Sequence, residues 1–163
     1  MEKTVPATFQ SPVTVATVNA AHDYCDRGWT VTETANGVCL ITDEQVAAVE
    51  LTGALAGEVS RFLHANNLLG PVVELPGAQR REFHLVVGAA KAALAIAALR
   101  DAGAVVHTDG ASIPLPPTRL AHGAACWKIA PDEARWVPPV VAIAAAVRAS
   151  ATHRARQLTT VAC

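Results

Sequence analysis

The sequence predicts an α/β domain of the α+β kind, a mixed or antiparallel sheet flanked by helices. Three observations predict it. Candidate strands come grouped between candidate helices instead of alternating with them one for one. The chain is 52% hydrophobic but only 4% aromatic, and much of that apolar content is alanine and valine. Such small side chains suit helices with alanine faces packed on valine-rich strands. Finally, 163 residues suffice for one domain with a real core.

The elements follow in order. Residues 1–10 read as a flexible arm. Ser11-Pro12 starts a helix, with serine as N-cap and proline in the first turn. Val13, Val15, Val18, Ala21, His22 and Cys25 share its expected inner face, and Gly28 ends it. Residues 29–34 alternate as a strand, Asn36-Gly37 supplies a type I′ hairpin turn, and 38–41 return. Residues 46–51 are a third strand. A helix over 54–66 carries Leu55, Val59, Phe62 and Leu63 at helical spacing. Strands over 71–74 and 82–87 flank a turn that holds Arg80 and Arg81. An alanine-rich helix covers 89–102, closed by Gly103, and a strand covers 104–107. After a turn, Ile113 opens a stiff proline stretch, then 124–129 form a strand. A last helix spans 140–151, and 152–163 read as a flexible, mildly basic tail. No repeat or linker divides residues 11–151, which form a single domain.

Charge and cysteine usage narrow the function classes. The net charge is −1, so nothing general argues for duplex DNA. Only 17% of residues are charged, which leaves apolar surface for a protein partner or another copy. The four cysteines are irregularly spaced without a C-x-x-C, and the first ten residues contain no apolar signal core. A cytoplasmic protein with free thiols is the expectation. The longest apolar run, 137–147, is too short to span a bilayer and is broken by Pro138 and Pro139, so no membrane is expected.

Four segments together carry a family likeness. Asp26-Arg27-Gly28-Trp29 leads a helix into a strand. VAAVEL fills 46–51. Arg80-Arg81-Glu82-Phe83-His84-Leu85 enters another strand. Gly103 to Trp127 contains DGASIPLPPT and then Gly123 and Trp127. Over roughly residues 15–130 the chain resembles the N-terminal primase–polymerase domain of bifunctional DNA primase/polymerases, in a short form common among actinobacterial proteins. The resemblance implies an RRM-like core flanked by a second α/β unit, and a place in DNA replication. It also implies in-line phosphoryl transfer between two divalent ions held by carboxylates. Here the sequence departs. The family's first two acids, one residue apart on a strand, fall on Ala48 and Glu50. Its third belongs on the strand over 104–107, which has none, and Asp109 lies just beyond. His84 matches the family histidine that contacts nucleotide phosphate. The paired catalytic carboxylates are missing, so no polymerase activity is expected, and Glu50, His84 and Asp109 stand as remnants.

Each candidate has a plainer reading. Glu50 at a strand end reads first as solvent-facing. His84, between Phe83 and Leu85, reads first as a half-buried structural histidine. Arg80 and Arg81 would grip phosphate as bidentate donors or simply be solvated in a loop. Arg119 and His122 join them if the fold brings both loops to one end of the sheet. Arg80, Arg81, His84, Arg119 and His122 are the candidate nucleic-acid or phosphate site. His22, Cys25 and Cys39 offer zinc ligands if the helix end meets the hairpin, against the commoner reading as free thiols. Pro114-Leu115-Pro116-Pro117 is a structural strand exit, with a proline-rich recognition ligand as the minor alternative. His153, Arg154 and Arg156 in the tail would touch nucleic acid or stay solvated.

Three functions are therefore expected. The first is a non-catalytic primase-polymerase-like module that binds DNA, RNA or nucleotide, or a regulatory protein partner, without a cofactor. The second is an enzyme with a rearranged site, holding one Mg or Mn ion on Glu50, Asp109 and Asp43 or Glu44. The third is a self-associating protein that uses its alanine-rich helices.

Overall fold

The structure, a computed structural model, describes residues 12–161; the arm over 1–10, the Ser11 cap and residues 162–163 lie outside the described residues. Helix α1 (Pro12–Asp26) leads into β1 (Val31–Thr34) and β2 (Gly37–Ile41). Then come β3 (Ala47–Thr52), α2 (Gly53–Ala65), β4 (Val72–Leu75) and β5 (Arg81–Val86). A 3-10 turn (Ala89–Lys91) precedes α3 (Ala93–Asp101) and β6 (Val105–His107). Strands β7 (Ser112–Leu115), β8 (Arg119–Leu120), β9 (Gly123–Ala124) and β10 (Cys126–Ile129) follow, and α4 (Val140–Val161) closes the chain.

The segment from β3 to β6 is a β-α-β-β-α-β unit. Its strands lie in the order β4-β5-β3-β6, every pair antiparallel, and β10 extends the sheet beyond β4. This is the split β-α-β arrangement. A second antiparallel sheet, β1-β2-β7, and the small β8–β9 hairpin complete the architecture.

The five-stranded sheet is covered on both faces, so β3 is buried from Ala47 to Leu51, Glu50 included. Ala47, Val49 and Leu51 point to one side, where Val59 and Leu63 of α2, Leu99 of α3, and Ile143 and Val147 of α4 complete a core. Ala48 points to the other side. There Val73, Phe83 and Leu85 meet Val38 and Leu40 of β2, Ile113 and Leu115 of β7, and Tyr24 and Trp29. Tyr24 stacks on Trp29 and meets Trp127 edge-on. Its hydroxyl donates to the Pro116 carbonyl at 2.7 Å and accepts from Trp127 Nε1 at 3.1 Å. That cluster ties α1, the proline segment and β10 together.

Several local expectations are corrected. Among the described side chains of α1 the buried positions are Thr17, Ala21 and Tyr24, while Val15 and Val18 are about half exposed. The inner face is thus rotated toward the residues that reach the aromatic cluster. The hairpin register pairs Thr34 with Gly37, so Ala35 and Asn36 form the turn, and Asn36 does not take the positive φ of a type I′ turn. Gly37 has φ +147° for another reason. A Cβ there would sit 2.4 Å from the Thr118 Cα, so only glycine lets the proline segment approach the hairpin. The first part of the proline stretch, Ile113 to Leu115, lies in strand β7, and Pro116 and Pro117 follow it in a turn. Pro114 is tolerated because β7 is an edge strand, where a missing N–H breaks no ladder. The alanine-rich helix is split, with only Leu99 of α3 fully buried and Leu94 88% exposed. Helix α4 runs to Val161, so residues 152–161, expected as a tail, are helical.

Thr118 locks β2 to the segment after β7. Its buried Oγ1 accepts from the Val38 N–H at 2.8 Å and donates to the Val38 carbonyl at 2.6 Å. Thr118→Val keeps the shape and orphans both groups. It is expected to lower unfolding free energy by about 1–3 kcal/mol, measured by urea denaturation. A change within error would show that water replaces the hydroxyl.

Candidate functional site

The Glu50 carboxylate lies between the two sheets. β3 alternation puts Ala48 and Glu50 on the inter-sheet face, and the register sets Glu50 opposite Phe83 and Ala48 opposite His107. The three positions that the resemblance assigns to acids are thus neighbours, occupied by Ala48, Glu50 and the strand that ends in His107. Glu50 is 8% exposed, which corrects the solvent-facing reading. Both its oxygens are used: Arg81 Nε donates to Oε1 at 2.6 Å, and His107 Nε2 lies 2.7 Å from Oε2. Burial alone would raise its pKa. The bonds from Arg81 and His107 outweigh that and hold the carboxyl below its usual range. Arg81 also sits over the Phe83 ring, 5.1 Å from its centre, and the His107 and Phe83 rings are 5.4 Å apart.

These groups open onto a cleft of about 390 Å³ at the end of the sheet interface. Arg81, His107, His122 and Ser112 supply its polar lining. Leu75, Pro76, Phe83, Ile113 and Pro114 supply an apolar wall. His122 stands on the β8–β9 hairpin, exposed, and Gly123 beside it packs against Pro76. The Arg81 guanidinium and the exposed His122 imidazole at one opening suit an anion, and the Phe83 ring and its apolar neighbours suit a planar group.

The other expected site residues go elsewhere. His84 is displaced by one residue of strand alternation. It faces the helices, 2% exposed, with Nε2 at 3.5 Å from Glu82 Oε2. It does not line the cleft. Glu82 is the hub of that second cluster, with Lys128 Nζ at 2.5 Å and Ser60 Oγ at 3.2 Å. Burial would raise the Glu82 pKa, but His84 and Lys128 bring it down to about 2. Arg80 is exposed and pairs with Glu74 at 3.3 Å, away from Arg81. Arg119 lines a neighbouring, mostly apolar cavity with Pro116, Pro117 and Trp127. Of the five expected phosphate-site residues, the fold therefore unites Arg81 and His122 and adds His107.

The rearranged metal site is not assembled. Asp109, Asp43 and Glu44 border a different cavity, alongside Arg100 and without Glu50. Asp43 is a local cap: Thr30 donates to Oδ2, and the Gln45 and Val46 N–H groups donate to Oδ1. Those bonds, the Thr30 one first, lower its pKa. His22 pairs with Asp26 at 3.2 Å, Cys25 is exposed and Cys39 is buried. Among the described residues no three His, Cys, Asp or Glu side chains converge as a metal-binding group. The tail side chains His153, Arg154 and Arg156 are not described. No described helix is long and apolar enough to cross a membrane.

His107 is the residue that sequence reasoning missed. Its signal was present, as a histidine on the strand where an acid was sought, but only strand pairing shows what it touches. No protein-family model, curated protein or solved structure matches the chain.

Proposed function

We propose that this chain is a primase-polymerase-like domain that lacks the two-metal centre for nucleotidyl transfer and binds the phosphate of a nucleotide or nucleic acid in the inter-sheet cleft. One observation carries the reading: Arg81, His107 and His122 line a single opening above Phe83, with Arg81 and His107 braced by the buried Glu50. The β-α-β-β-α-β order supports it, because the resemblance calls for an RRM-like core. So does the placement of Ala48, Glu50 and His107 side by side on one face. With both Glu50 oxygens occupied, that acid serves to brace Arg81 and His107 rather than an ion.

The expected result is binding of a labelled single-stranded oligonucleotide, followed by fluorescence anisotropy, that weakens as salt rises. Each phosphate contact contributes a slope of about −0.7 in log K against log salt. His122→Ala and Arg81→Gln should each weaken binding, by roughly tenfold for a charge-assisted contact of about 1.5 kcal/mol. Affinity indifferent to salt and to both substitutions would remove the reading.

A further inference from the structure

We propose that this cleft also cleaves RNA without a metal ion, by internal transesterification; the inference rests on the phosphate-binding reading above. The Glu50–His107 pair is the starting point. A carboxylate 2.7 Å behind Nε2 fixes the imidazole's orientation and places the ring proton on Nε2. Nδ1 then keeps its lone pair, and it has no hydrogen-bond partner among the described residues. The same carboxylate holds Arg81, so base and guanidinium, on the two strands that flank β3, are set at fixed spacing through Glu50. His122 brings a second imidazole to the same opening from the β8–β9 hairpin. One imidazole to take a proton, one to give it and a guanidinium for the charge make a complete set for this reaction.

The step balances within the substrate. The ribose 2′-hydroxyl passes its proton to His107 Nδ1 as its oxygen bonds to phosphorus. The bond from phosphorus to the 5′ oxygen breaks, and His122, entering as imidazolium, protonates that oxygen. Arg81 faces the charge that builds on the non-bridging oxygens. The products are a 2′,3′-cyclic phosphate and a 5′-hydroxyl end, with no oxidation and no further reactant. Proton exchange with solvent resets both histidines. Glu50 acts as a positioning residue. DNA, which has no 2′-hydroxyl, binds without being cut. The cleft volume of about 390 Å³ lies at the small end of ligand pockets, which suits one nucleotide splayed from a single strand better than a duplex.

The test incubates the full chain, with EDTA in excess, with a short end-labelled single-stranded RNA and with DNA of the same sequence. Anisotropy is read on both. Cleavage of RNA to cyclic-phosphate ends, with DNA bound but intact, is expected. His122→Ala, at an exposed position that leaves the core untouched, should slow single-turnover cleavage about 10²-fold or more at saturating protein. His107→Gln, which can still donate to Glu50, should do the same while binding persists. Binding without cleavage overturns this proposal and leaves the binding reading standing. Failure to bind either polymer removes both. Cutting of DNA, or RNA cleavage at full rate in both variants, also overturns it.

Discussion

Phe83→Ala should be among the most destabilising single substitutions in this protein, lowering unfolding free energy by about 3–5 kcal/mol. Phe83 heads the fully buried side chains by volume, and it stands on β5 in the middle of the inter-sheet core. Its ring joins the inter-sheet core to the wall of the cleft. It packs with Val73 and Leu85 beneath the second sheet, and it carries Arg81 and His107 above. Removing it leaves a cavity between two sheets, whose strands cannot collapse inward without breaking their ladders. It also takes the aromatic face from under the guanidinium. Phe83→Leu separates the two effects, since it refills most of the volume and restores none of the ring. Urea denaturation of the three proteins is the measurement. An alanine variant within about 1 kcal/mol of the parent would mean that the inter-sheet core does not hold the fold together.

Acid should unfold the protein through Glu82. Its carboxyl is held down to about 2 by His84 and Lys128, against the burial that would raise it. A group with a depressed folded-state pKa contributes stability above its unfolded-state value and loses it as protons bind. The contribution is therefore complete above the ordinary glutamate value of 4.5 and is lost as pH falls from there to about 2. At roughly 1.4 kcal/mol per pKa unit, it is on the order of 3–4 kcal/mol. Glu50 and Asp43 shift in the same direction and steepen the same limb. Urea midpoints in the parent should hold between pH 6 and about pH 5 and fall as pH drops from there to about 2.5. Glu82→Gln should start lower and fall less. Parallel curves for the two proteins would show that another carboxylate carries the acid limb.

The sequence by itself determined the α+β class, the order of the main elements and the positions of most strands. Those features are written in local patterns: the alternation of 29–34, the apolar spacing of 54–66, the buried runs around Val49 and Leu85. It also showed that Glu50 stands without an acid at Ala48 or on 104–107. Local pattern could not show that the stretch through Pro114 begins as a strand, because an edge position, known only from the sheet order, is what makes Pro114 tolerable. Nor could it choose between His84 and His107. The two are 23 residues apart, and strand pairing decides which one meets Glu50. Register sets Glu50 against Phe83, so His84, one residue on, turns to the helices, while β6 on the other side brings His107 within 2.7 Å of the carboxylate. A side-chain period of two makes a single residue the difference between cleft and core. Tertiary structure alone thus turned a lone acid into a brace for Arg81 and His107.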